Sequence, residues 1–247
     1  MWLRTWGPWL LGVAAAVAAL TQKLCPQARV VFWATVTVAA VSIASSALAF
    51  WSGRIAAKAK AHDDALRALH EALVRLVAKL NVPFDDLGLH VYRRRRTLRC
   101  QLGYEHVRIV RLRLDSSIAP SGVIWKEGKG LLGQLAKNFT APIYWSRELY
   151  EPYRDCTVAE WDALPAELRI ELSHADWQAA KRHAGVVAVP IVFFRSGKPA
   201  RYLGCVTLDC SEPATFAKFL EPTAKKFIEK QLTQAGNTAG VAIGAIK

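Results

Sequence analysis

Between Val30 and Trp51 the chain runs for 22 residues without a charged side chain. At a rise of about 1.5 Å per residue, a helix of that length crosses a hydrocarbon core of roughly 30 Å. This segment is expected to make the chain an integral membrane protein. A shorter apolar run, Gly7 to Leu20, precedes it and reaches back to Trp2 if Arg4 snorkels to the headgroups. Trp2, Trp6 and Trp9 share one helical face there, and Trp33 and Trp51 lie near the ends of the second run, as interfacial aromatics do. Together they predict a two-helix transmembrane hairpin over residues 1–51. Residues 1–18 also fit a cleavable signal peptide, with Arg4, an apolar stretch and Ala16-Val17-Ala18. Under both readings Arg54, Lys58 and Lys60 follow the second span, so the remainder is expected on the cytoplasmic side of the cell (inner) membrane.

The net charge of +13 is unevenly spread. Residues 52–114 carry fourteen basic against six acidic side chains, whereas the following 133 residues carry sixteen against fourteen. Such an excess can mark nucleic-acid binding. Beside a membrane span, anionic headgroups and the positive-inside preference account for it better, so nucleic acid is not the expected partner. The five cysteines, Cys25, Cys100, Cys156, Cys205 and Cys210, have no paired spacing, which predicts reduced thiols. The scattered histidines form no ligand pair with a cysteine, and no metal site is expected.

After Trp51 the pattern becomes amphipathic. Leu66, Leu69, Leu73, Leu76 and Leu80 recur at spacings of three and four, and Pro83 ends the series. A helical linker over 52–82 is therefore expected. Its leucine stripe could pack on the domain that follows, or form a short parallel coiled coil. The second reading, a homodimer through these five leucines, is the expected one, because a helix leaving a membrane has little surface of its own to pack against.

Strands are predicted at Leu87–Tyr92 and Tyr104–Leu114. Strict alternation in the second would set Val110, Leu112 and Leu114 on one face, and Ile109, Arg111 and Arg113 on the other. Arg93 to Arg96 fall in the connection, as a solvated turn or a phosphate- or lipid-binding patch. Gly128 and Gly130 make a turn into a helix over Leu131–Asn138. A short strand at Thr140–Trp145, a helical or irregular insert over 146–184, a hairpin of Gly185–Phe194 with Arg201–Asp209, and a helix over Thr215–Leu232 follow. Residues 233–247 are expected to be a loosely ordered tail. The class is α+β, an antiparallel sheet flanked by helices.

Three stretches resemble the GAF domain, a small-molecule sensor module. Trp125 with Glu127-Gly128-Lys129-Gly130-Leu131-Leu132-Gly133-Gln134 resembles the glycine turn that opens the family's middle helix. Ala141-Pro142-Ile143-Tyr144 resembles the short strand after it. Val187-Ala188-Val189-Pro190-Ile191 with Leu203-Gly204-Cys205-Val206-Thr207-Leu208-Asp209 resembles the hairpin before the last helix. The resemblance covers residues 83–232 and implies a ligand held between one sheet face and the insert. By position it places Tyr144, Trp145, Tyr153, Cys156, Trp161, His174 and Trp177 near that pocket. These aromatics suit a planar ligand, or simply close a core under the insert. Ser146-Arg147-Glu148 stands where the family usually has an aspartate, and its cyclic-nucleotide signature and tetrapyrrole-attachment cysteine cannot be assigned, so the cofactor is left open.

Some GAF-like proteins are thiol reductases of free methionine sulfoxide, but the cysteines here form no attacking and resolving pair. No catalytic constellation stands out, and an enzyme is not expected. The expected function is a membrane-tethered sensor or regulatory module that binds a small molecule, such as a nucleotide, and signals through its linker helix to the membrane hairpin or a partner protein. The alternatives are a nucleotide-triggered, two-span effector that oligomerises and permeabilises the membrane, and a ligand-free protein-binding scaffold.

Overall fold

The computed structural model describes residues 26–96, 103–115 and 121–245. The first apolar run, Cys25 and Cys100 lie outside the described residues, and so does the first helix of the expected hairpin. The chain divides into two compact units after Ala56.

Helix α1 spans Pro26–Leu80 without a break. Its segment from Val30 is long and apolar enough, by length and composition, to cross a membrane. Trp33, Val38, Ile43, Leu48, Phe50 and Trp51 are all exposed. Four hydroxyls there are satisfied within the helix: Thr35, Thr37, Ser42 and Ser46 each donate to the carbonyl four residues back, at 2.8–2.9 Å. That is the arrangement an apolar surrounding demands of a hydroxyl.

The unit from Ala57 is a mixed α+β structure built on six antiparallel strands. They are β1 (Leu87–Arg96), β2 (Tyr104–Arg113), β3 (Trp125–Lys126), β4 (Ile143–Ser146), β5 (Gly185–Arg195) and β6 (Lys198–Cys210), in the spatial order β3-β2-β1-β6-β5-β4. Helix α2 (Gly130–Lys137) follows β3. A 3₁₀ turn (Arg147–Tyr153) and the short helices α3 (Val158–Asp162), α4 (Ala166–Arg169) and α5 (His174–Ala180) make up the insert. The chain ends in α6 (Pro213–Leu220) and α7 (Pro222–Ala245).

One sheet face is apolar by alternation. Leu87, Leu89, Val91, Val187, Val189, Val206 and Leu208 point into a single buried cluster with Leu69, Leu73, Leu76 and Leu80 of α1 and residues of α6 and α7. Leu66 packs against the same cluster. The leucine stripe of α1 therefore packs on the sheet of its own chain, the first of the two packings that its spacing allowed. The spacing of three and four marks one apolar helix face and does not tell a sheet from a partner helix.

Four expectations are corrected. Arg93–Arg96 belong to β1 and are not its turn; Arg94 donates to Glu127 at 2.9 Å and lies 3.6 Å above the Tyr104 ring. The single final helix is two, because Pro222 holds Glu221 extended (φ −60°, ψ 133°) and starts a new helix at its own position. The presumed loose tail is helical to Ala245, with Ala235 and Ala239 buried against the sheet; small side chains give a weak hydrophobic signal but allow close approach.

The fourth concerns β2. Val91 pairs with Val110, but Tyr92 pairs with Arg108, which leaves Ile109 as an extra residue. This β-bulge shifts the alternation by one. Ile109 joins Val110 and Leu112 on the helical side, and Arg108 moves to the face that carries Arg111 and Arg113.

Candidate functional site

The second sheet face meets the insert and α2. The insert is fixed by local chemistry. Thr157 with Glu160, and Ser173 with Asp176, form capping boxes that start α3 and α5. Asp176 also pairs with Lys129 of the glycine turn at 2.6 Å, and the Gly130 N–H donates to the Ile170 carbonyl at 2.7 Å. Gly130 has φ +60°, and a Cβ there would run into the Trp125 ring. The turn is thus clamped between β3 and the insert, and only glycine fits it. Ile170 and Glu171 both have positive φ, 43° and 59°, an unusual conformation for a β-branched residue such as Ile170.

Of the seven candidate residues, six are gathered under the insert. Trp161 and Trp177 stack in parallel with centroids 5.4 Å apart, and Trp145 meets Trp177 edge-on at 6.3 Å. Tyr153 and Cys156 pack against the same cluster. Backbone carbonyls engage three of their ring nitrogens. Trp161 Nε1 donates to Leu172 at 3.0 Å and Trp177 Nε1 to Tyr153 at 3.1 Å, while His174 Nε2 contacts the Cys156 carbonyl at 2.8 Å. This is a closed aromatic core, with Trp161 and Trp177 fully buried. Tyr144 is not part of it. It lies on the opposite face, where its hydroxyl donates to Glu229 at 3.1 Å and burial raises its pKa.

A cavity of about 80 Å³ lies beside this core, between the sheet and the roof formed by Trp125, Leu131, Leu132, Ile170 and Leu172. A single water needs roughly 10–15 Å³ on this measure, so the space holds several. Of the seven candidates, only Trp145 lines it. Its sheet floor is polar: Arg108, Arg111 and Arg113 from β2, His90 and Tyr92 from β1, and Thr207 and Asp209 from β6, with His183 at the rim of the insert.

Asp209 organises this floor. His90 Nε2 lies 2.6 Å from its Oδ2, Arg113 pairs with its Oδ1, and His183 Nδ1 is 3.4 Å from the same oxygen. Arg113 also reaches Ser211 at 3.3 Å. Burial, reinforced by Arg108, Arg113 and Arg111, pushes the His90 pKa down to about 3. Burial, with Arg113 and Arg182 beside it, does the same to His183. Asp209 would favour a charged imidazole, but Arg113 already neutralises it, so both rings are neutral at physiological pH.

The thiols carry no such activation. Cys205 and Cys210 face opposite sides of β6, and burial pushes Cys205 up to about 12 and raises Cys210 as well. Among the described residues, no group of three or more His, Cys, Asp or Glu is placed to hold a metal ion.

His90, Arg108, Arg111, Arg113, His183 and Asp209 are the residues that sequence reasoning missed. A signal was present: His90 and Asp209 fall within the largely apolar stretches Leu87–Tyr92 and Tyr202–Cys210, and Arg111 and Arg113 alternate on a strand whose other face is apolar. The bulge hid Arg108. No protein family, characterised protein or solved structure matches the chain.

Proposed function

We propose that this chain is a membrane-tethered sensor, in which a GAF-like cytoplasmic domain binds a small molecule and reports through α1. The observation that carries the reading is the cavity between the polar sheet face and the insert, the location that the GAF resemblance implies for a ligand. The uninterrupted apolar helix supports the membrane tether.

The architecture offers a route for the signal. β1 contributes His90 and Tyr92 to the cavity, while Leu89 and Val91 of the same strand share a buried cluster with the α1 leucines. A ligand that shifts β1 therefore bears on α1 through close-packed side chains. It can bias the helix only by as much as its affinity differs between the two arrangements.

Thermal unfolding of the full chain in detergent tests this, with nucleotides, cyclic nucleotides and tetrapyrroles added in turn. A ligand present at 100 times its Kd adds about 2.7 kcal/mol and a visible rise in Tm. A folded chain that none of these compounds, nor a cell metabolite extract, stabilises would point instead to a protein-binding scaffold.

A further inference from the structure

We propose that the cavity is a phosphoryl-binding site, which takes inorganic phosphate or the phosphoryl group of a metabolite. This deepens the sensor reading and rests on it for the location of the site.

Charge makes the first case. Three arginines, Arg108, Arg111 and Arg113, line the cavity beside a single aspartate, and both histidines there are neutral. Arg182 stands close enough to Arg108 and Arg111 for their charges to lower its pKa, after burial, which adds a fourth guanidinium to the same quarter. Like charges brought together in a space screened from water repel, and a bound dianion removes both the repulsion and the desolvation cost.

Geometry makes the second. The Arg113 side chain is 1% exposed, and its Nε has no hydrogen-bond partner. His90 is buried beside it, with its Nε2 proton committed to Asp209. Buried polar atoms are normally satisfied, and guanidinium groups present N–H pairs that match phosphate oxygens. The bulge at Ile109 is what brings Arg108 to this face, since a regular strand would turn it to the helical core. The size agrees. About 80 Å³ admits a group of five heavy atoms but not a whole nucleotide.

Isothermal titration calorimetry on the detergent-solubilised full chain tests the proposal, at constant ionic strength. The titrants are sodium phosphate, adenosine monophosphate and adenosine, with sodium chloride as blank. Saturable binding of phosphate or the monophosphate, weakened at least tenfold in Arg108→Gln and in Arg182→Gln, is expected. Tighter binding of phosphate identifies the free ion as the source, and tighter binding of the monophosphate identifies a phosphorylated metabolite. Circular dichroism on each variant shows that it is folded.

Two results overturn the proposal, and they are distinct. If adenosine binds as well as its monophosphate, and Arg108→Gln leaves both unchanged, the cavity is a ligand site but not a phosphoryl site. If none of the three binds a folded chain, the phosphoryl assignment fails. The sensor reading then fails with it only if the wider thermal screen is negative as well.

Discussion

Arg113 and Asp209 stand on the two strands that flank β1 and meet over Gly88. The register sets Gly88 opposite both residues, and a Cβ at Gly88 would lie 2.6 Å from Arg113 Nε and 2.7 Å from Asp209 Oδ1. The absence of a side chain is thus what lets this pair form across an intervening strand. Gly88→Ala is expected to cost about 1–3 kcal/mol by overpacking. Asp209→Asn, which leaves Arg113 buried without its carboxylate, is expected to cost about 3–5 kcal/mol. Urea unfolding of both variants measures this, and a cost under about 1 kcal/mol for Asp209→Asn would mean that the pair does not hold the floor together.

The Trp161–Trp177 stack serves the core and not the cavity. Trp177→Ala is expected to lower stability by about 3–5 kcal/mol. Trp177→Phe, which keeps an aromatic ring, should fold and bind any cavity ligand within about twofold of the parent. A large loss of affinity in a stable Trp177→Phe chain would place the ligand among these rings instead.

Stability should fall on mild acidification. In the unfolded chain the histidines titrate near the ordinary value of about 6.5. In the fold, burial holds His90 and His183 at about 3 and His106 at about 4. Below pH 6.5 the unfolded state takes up protons that the native state refuses, so stability present above that pH is lost as the pH drops toward the folded values. Each histidine contributes a slope of about 1.4 kcal/mol per pH unit. Denaturant titrations at pH 7.5, 6.0 and 5.0 read this out, and His183→Gln should flatten the slope. A flat profile in the parent would show that these rings are charged in the fold.

Leu73 is fully buried in the cluster of α1 with the sheet. Leu73→Ala should cost about 2–5 kcal/mol. Its Tm should not depend on protein concentration, because the side chain packs within one chain. A concentration-dependent Tm that the substitution abolishes would restore the leucines to an interface between copies.

The proposed membrane tether predicts a clean partition. The full chain should resist alkaline carbonate extraction. A chain that begins at Ala57, the start of the second compact unit, should appear in the soluble fraction after lysis without detergent. Recovery of the full chain in the soluble fraction would show that Val30–Trp51 does not span a bilayer.

What could be read from the residues alone followed from periodicity and length. The apolar span, the leucine stripe, the β5–β6 hairpin and the glycine turn all show in their spacing, because each answers to one local rule. The partner of a stripe does not: Leu66 to Leu80 look the same to a sheet as to a second helix. The tail was missed because alanines at 235 and 239 pack through closeness and not through size. Six candidate residues do gather under the insert, where their neighbours are largely one another, the closed core that stands beside a ligand site in the sequence reading. The arginines escaped because alternation presumes an unbroken ladder, and a single surplus residue in β2 changes which side chains share a face.

Ile109 has a counterpart. In β6, Ile191 pairs with Gly204 and Val192 with Tyr202, so Leu203 is likewise surplus, and both residues pack against the helical core. Bulges bend and twist the strands that carry them. The sheet under the insert is therefore bent at two residues whose own side chains lie on its far side. A mutational scan confined to the walls of the hollow would map what it grips, and would pass over the residues at which its floor bends.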